Sequence, residues 1–164
     1  TKGAFYYYFT NKDDILQAGL DTYFSLLKEP DEDFVNNLSF LRDYIDVYIH
    51  YQAPNTGITA ATFGTSVLEI LFFQLVLEVE SFFPVYGERI RALLNRRLLL
   101  WRQMIKKAQE SKEIREDING TVLAQNFMSV SISMLNIELN EMDFHFLYAD
   151  MRMQFAQYYD LVRL

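Results

Sequence analysis

Apolar side chains recur at intervals of three and four residues along nearly all of this 164-residue chain. The segment 12–28 is an example, since its apolar residues fall at helical spacing: Ile15, Leu16, Leu20, Tyr23, Phe24 and Leu27. Only six glycines and three prolines are available to interrupt this pattern, and these are the two strongest helix breakers. The spacing therefore predicts an all-α fold in which long helices are joined by short connections.

Capping and breaking residues set the boundaries of these helices. Asn11 is placed as an N-cap with Asp14 at the third helical position, and Pro84 suits a first turn. The sequence APNTG at 53–57 is expected to end one helix, and Asp143 to cap the last. The predicted helices span about 3–9, 12–28, 34–51, 65–83, 84–112, 119–139 and 144–163.

Composition narrows the class of protein. The absence of cysteine excludes disulfides and thiolate metal sites, and it fits a cytoplasmic location. The most apolar segment, 67–86, contains Glu69, Glu78 and Glu80, so no membrane span is predicted. A net charge of −7 works against nonspecific binding to nucleic acid. Residues 1–12 differ from the rest because they carry two lysines and no acid.

The first sixteen residues, TKGAFYYYFTNKDDIL, predict a short helix, a tight connection and a capped second helix. Helix-turn-helix modules place side chains and backbone amides against DNA phosphates in this way, whereas the packed end of any helical bundle is also rich in aromatics. The stretch resembles the TetR family of transcriptional regulators, whose pattern is S/T-x-G-x-hydrophobic-Y-x-x-F-x-x-K-x-x-L/I. The matching residues are Thr1, Gly3, Phe5, Tyr6, Phe9, Lys12 and Ile15.

This resemblance implies a function and a set of roles. The chain would be a repressor that a small molecule releases from a palindromic operator, and the family's first two helices would precede Thr1. Residues 1–28 would end the helix-turn-helix domain and supply a connecting helix, and residues 29–164 would form a ligand-sensing and dimerisation domain. Phe5 and Phe9 would anchor the recognition helix, and Tyr8 would serve either role. The implied DNA-binding residues are Thr1, Lys2, Gly3, Tyr6, Tyr7 and Lys12.

The last two helices carry more apolar surface than one packing face needs. The helix at 119–139 has two apolar stripes on nearly opposite sides, so one stripe is available for a second subunit. The alternative is that both helices are buried all round within a monomer. The resemblance favours a homodimer, because paired half-sites are read by dimers. The predicted interface comprises Leu123, Phe127, Val130, Met134 and Ile137, with Tyr148, Ala149, Met153 and Ala156 from the final helix.

The effector that the resemblance implies needs a mainly apolar pocket with a few polar groups. Aromatic and thioether side chains of the middle helices are the candidate lining, although each is more typical of an ordinary core than of a pocket wall: Tyr48, Tyr51, Phe72, Phe73, Trp101 and Met104. Arg97 stands out because it projects into the apolar arc of its helix. It binds either a ligand carboxylate or an internal partner, Glu69 or Glu78.

No pattern points to catalysis. His50 and His145 are isolated, and neither a metal-ligand spacing nor a glycine-rich phosphate loop occurs. We therefore expect no enzyme activity, metal or cofactor. The competing hypothesis is a helical module that binds a protein partner through aromatic and methionine-rich surfaces and never touches DNA.

Overall fold

The computed structural model describes the backbone of residues 8–63, 75–133 and 144–164 and the side chains of 8–52, 75–132 and 149–164. Within these ranges the fold is all-α, as the sequence predicts, and the one β-type pairing is an isolated bridge between Ile114 and Arg163. Residues 75–79 are also helical. The helices are α1 (Lys12–Leu26), α2 (Glu32–Asn36), α3 (Leu41–Phe63), α4 (Pro84–Glu110), α5 (Gly120–Ser133) and α6 (Phe144–Val162).

The start of α1 is fixed by side chains, as expected. Asn11 has an extended backbone, and its side-chain oxygen accepts a hydrogen bond from the Asp14 amide at 2.8 Å. The Asp14 carboxylate in turn accepts from the Thr10 amide at 2.9 Å, one residue before the position that a standard capping box uses. These two bonds hold the chain direction at the point where Lys12 opens the helix.

The predicted helix at 34–51 is wrong at both ends. A separate helix, α2, begins after Asp31, whose carboxylate caps the Asp33 amide at 2.8 Å. The chain leaves the helix at Asn37, and α3 starts only at Leu41. At its other end α3 continues through Pro54, because a proline removes one helical hydrogen bond without forcing the helix to end.

One carboxylate, that of Glu113, joins three parts of the chain. It accepts the backbone amides of Leu41 at 2.8 Å and Arg42 at 3.2 Å, which are orphan donors at the start of α3. It also accepts from the Tyr159 hydroxyl at 3.0 Å. The turn after α4 thereby caps α3 and holds the end of α6.

The main core lies where α3, α4, α5 and α6 meet, around the single tryptophan of the chain. Trp101 is fully buried and stacks on Phe127 with ring centroids 4.4 Å apart and planes parallel within 1°. Phe155, Tyr44 and Tyr48 surround the same indole, with centroids 5.5, 4.7 and 5.0 Å away. This aromatic cluster fixes the relative positions of the four helices.

A second, smaller group of buried residues holds α1 against the first half of α4. We call it the α1 cluster, and its buried members are Leu20, Val76, Tyr86 and Ile90. The Tyr86 hydroxyl donates to the carbonyl of Gln17 at 3.2 Å, and Arg89 pairs with Asp21 at 2.6 Å. Since residue numbers rise together on both sides, α1 and α4 run side by side in the same direction.

Candidate functional site

The exposed start of α1 is the described part of the region that resembles a DNA-reading head. Lys12 is solvent-exposed at the first helical position, where the positive end of the helix dipole adds to its charge. Tyr8 is also largely exposed, and Phe9 is half-buried, in keeping with its expected anchoring role. Thr1, Lys2, Gly3, Tyr6 and Tyr7 lie outside the described residues. Their predicted contacts with DNA stay predictions.

A cavity of about 50 Å³ lies beside the far end of α1. Four helices and the residue after α1 contribute its lining: Tyr23, Leu27, Tyr48, Gln52, Ile90, Leu93, Leu94, Arg97, Met128, Ser131 and Ile132. Six of the lining side chains are apolar and five carry a polar group, and a mainly apolar wall with a few polar groups is the usual chemistry of a small-molecule site. Its volume has room for roughly three to five water-sized groups.

Arg97 is the charged side chain of this lining, and it is held in an internal ion pair. The partner seen among the described residues is Glu29, in the connection between α1 and α2. The sequence predicts Glu69 or Glu78 instead, and Glu69 lies outside the described residues. The guanidinium Nε donates to both Glu29 carboxylate oxygens, at 3.0 and 3.1 Å, and Nη2 donates to Oε1. The two side chains are 11% and 14% exposed, so the pair is largely removed from water.

Gln52 completes the polar side of the cavity. The Gln52 side-chain amide is oriented so that both its oxygen and its nitrogen have suitable partners. In this orientation the oxygen accepts hydrogen bonds from Arg97 Nη1 at 3.1 Å and Nη2 at 3.3 Å. Ser131 donates its hydroxyl to the Phe127 carbonyl at 3.1 Å, as a helical serine commonly does. Arg97 and Gln52 are therefore joined by hydrogen bonds at the cavity, whereas the Ser131 hydroxyl is held by its own helix.

Three buried polar atoms have no hydrogen-bond partner among the described residues: the hydroxyls of Tyr44 and Tyr48 and the indole Nε1 of Trp101. Burial is the main cause that raises the pKa of Tyr44 far above its usual value, and the charge of Glu29 adds to it. Both this hydroxyl and that of Tyr48 are donors without an acceptor, but only Tyr48 lines the cavity. A molecule in the cavity is a possible acceptor for Tyr48 and not for Tyr44.

The two hydroxyls give expectations for two Tyr→Phe variants. Tyr44→Phe removes a buried hydroxyl that has no partner among the described residues, without changing the ring, and we expect it to raise the free energy of unfolding by about 1 kcal/mol. Tyr48→Phe should raise it by a similar amount, because the Tyr48 hydroxyl is also enclosed and has no partner among the described residues. Urea denaturation followed by circular dichroism measures both. A loss of stability in Tyr44→Phe would mean that this hydroxyl has a partner.

The other residues predicted to bind a ligand either do not line this cavity or lie outside the described residues. Trp101 and Met104 are buried in the main core and do not line this cavity, so their predicted contacts with a ligand stay predictions. Tyr51 is half-buried and does not line it either, and Phe72 and Phe73 lie outside the described residues. Sequence reasoning missed Tyr23 and Leu27, although their helical spacing on α1 marked both as inward-facing.

The predicted dimer surface on α5 needs correction. Leu123, Phe127 and Val130 are buried in the chain's own core and present no surface to a second subunit. The opposite stripe is also used within the chain, because Met128 and Ile132 line the cavity. Met134 and Ile137 lie outside the described residues.

The final helix keeps a surface that is available for a partner. Ala149, Met153 and Ala156 are exposed, with Met153 at 63%. The side chain of Tyr148 lies outside the described residues. The predicted contact of a second subunit along this strip of α6 therefore stays a prediction.

Across the side chains that the structure describes, no group of three or more His, Asp or Glu is arranged to hold a metal ion. None of the helices within 8–63, 75–133 and 144–164 combines the length and apolar character that crossing a bilayer requires.

Comparison with models of protein families, with curated proteins and with solved structures found no match.

Proposed function

We propose that the chain is a TetR-type DNA-binding regulator, a dimeric repressor that a small-molecule effector releases from its operator. The observation that carries the proposal is the position of α1. Its first residue, Lys12, is exposed in a motif that resembles a DNA-reading head, while Tyr23 near its other end and Leu27 just beyond it line the cavity. A ligand in the cavity therefore contacts the same helix that begins at the DNA-facing surface.

The geometry supports a mechanical route between the two sites. A helix of 15 residues is about 22 Å long, and it transmits a displacement of one end to the other because its backbone is hydrogen-bonded throughout. An effector changes DNA affinity only if it binds the two positions of α1 unequally. The second subunit of the dimer would pack on the exposed strip of α6 and place two such helix starts against paired half-sites.

The DNA-binding part is tested with Lys12→Ala in the complete protein, on DNA from its own promoter region. Loss of one phosphate contact should weaken binding and reduce the slope of log affinity against log salt concentration by about one. The matched control is Lys106→Ala, an exposed lysine of α4 that lies 20 residues, or about 30 Å, beyond Tyr86. It should change neither quantity. An unchanged affinity and slope in Lys12→Ala would remove this residue from the interface.

A helical interaction module without DNA binding is the second candidate. It is favoured by three exposed phenylalanines, Phe34, Phe40 and Phe82, which are 49%, 53% and 77% exposed. Exposed aromatic surface is typical of protein-binding sites. Measurement of DNA binding distinguishes the two candidate functions, because an interaction module should show no salt-dependent binding to the promoter region.

A further inference from the structure

We propose that the cavity binds a small carboxylate, which replaces Glu29 on the Arg97 guanidinium. This inference rests on the proposed function, because it names the class of effector and the way in which binding reaches α1. Arg97 is the charged residue among the eleven that line the cavity, whereas Glu29 is not part of the lining. An anion that enters the cavity therefore meets a cation whose counter-ion approaches from elsewhere.

The guanidinium is well matched to this exchange. Its planar group presents five N–H donors in a fork that fits a carboxylate bidentately. Glu29 uses Nε and Nη2, and Gln52 accepts from Nη1 and Nη2. A second carboxylate cannot add to this arrangement without bringing two negative charges against one positive charge. Ligand binding and the Glu29 contact are therefore competitive.

Other groups at the cavity suit the rest of such a ligand. The Tyr48 hydroxyl is buried and has no hydrogen-bond partner among the described residues, and it would donate a hydrogen bond to a carboxylate oxygen that reached it. Leu93, Leu94 and Ile132 provide an apolar wall for a short alkyl chain. A volume of about 50 Å³ limits the ligand to a few non-hydrogen atoms. Acetate, propionate and butyrate fall within this range.

Displacement of Glu29 would act directly on the end of α1. Glu29 lies three residues after Leu26, where α1 ends, and immediately before Pro30. The Pro30 carbonyl is a second attachment of the same connection, because it accepts from Arg96 Nη2 at 3.4 Å. Release of the Glu29 carboxylate removes the stronger, charge-assisted attachment and allows α1 to shift relative to α4.

The test measures binding of acetate, propionate and butyrate to the purified protein at pH 7, with acetamide, propionamide and butyramide as uncharged controls of the same shape. Trp101 fluorescence and calorimetry are the readouts, since the indole lies 5.0 Å from the Tyr48 ring. The carboxylates should bind and the amides should not. Glu29→Gln should bind the carboxylates at least tenfold more tightly, because the competing charge is removed.

The non-binding variant is the double substitution Arg97→Met/Glu29→Gln, which removes both charges of this ion pair together and so strands neither of the two. It should lose carboxylate binding entirely. Equal affinity in the wild type and Glu29→Gln, retained binding in the double variant, or binding of the amides would each overturn the proposal. If the carboxylates bind as expected but do not change the affinity of the complete protein for its promoter DNA, the carboxylate site is supported and the proposed function is contradicted. Failure of the site and failure of the function are therefore distinguishable.

Discussion

Phe127→Ala is expected to lower the free energy of unfolding by about 3–5 kcal/mol, the usual range for removing a large aromatic side chain from a packed core. Phe127 is fully buried, stacks on Trp101 and meets Phe155 edge to face at 5.2 Å. Its loss opens a cavity at the point where α4, α5 and α6 meet. Urea denaturation followed by circular dichroism at 222 nm measures the change independently of the altered tryptophan environment.

The same variant separates core packing from subunit contact. Since Phe127 packs within its own chain, the loss of stability should be the same at low and high protein concentration, whereas an interface residue would give a concentration-dependent loss. Val122→Ala is the matched control, because Val122 is 48% exposed on the same helix, and its effect should stay within about 0.5 kcal/mol. Similar losses for Phe127 and Val122 would contradict the assigned core.

Arg97→Met should cost about 3–5 kcal/mol, because it leaves the largely buried Glu29 carboxylate without its counter-charge. The added substitution Glu29→Gln should restore most of this stability, since the penalty comes from the stranded charge and not from the lost attraction. Arg102→Met on the same helix is the control, because Arg102 is exposed and should change stability by less than about 0.5 kcal/mol. Thermal and urea denaturation of the four proteins give the comparison.

An additive loss in the double variant would count against this account. If Arg97→Met and Glu29→Gln each destabilise and their effects simply sum, the two residues do not interact energetically. The two side chains would then lie close together without stabilising each other. Removal of Glu29 would give a carboxylate ligand no advantage, which would contradict the proposed competition.

Local signals in the sequence correctly indicate the helical class and several boundaries. Asn11 and Pro84 mark helix starts through chemistry that acts within one turn, and both predictions are confirmed. The start of α3 was not predicted, because its first amides are capped by Glu113, which lies 72 residues away from Leu41. A cap supplied from so far along the chain leaves no local pattern to read.

The site shows the same limit. Arg97 could be selected from the sequence, because a guanidinium on an apolar helix arc needs an acceptor, but its partner lies in a connection for which periodicity gives no information. The two apolar stripes of α5 were also ambiguous, since a pattern shows that a face is buried and not what covers it. Among the described residues, Leu123, Phe127 and Val130 of one stripe pack in the main core, and Met128 and Ile132 of the other line the cavity.

The two groups of buried residues differ greatly in size, with twenty buried members in the main core and four in the α1 cluster among the described residues. Cooperative units with less buried apolar area open at lower free energy, so α1 can separate from α4 while the other helices stay folded. Substitutions along the contact between α1 and α4 can therefore alter how readily the helix moves without endangering the whole protein. In the regulator proposed above, selection could adjust the sensitivity to the effector at a handful of positions.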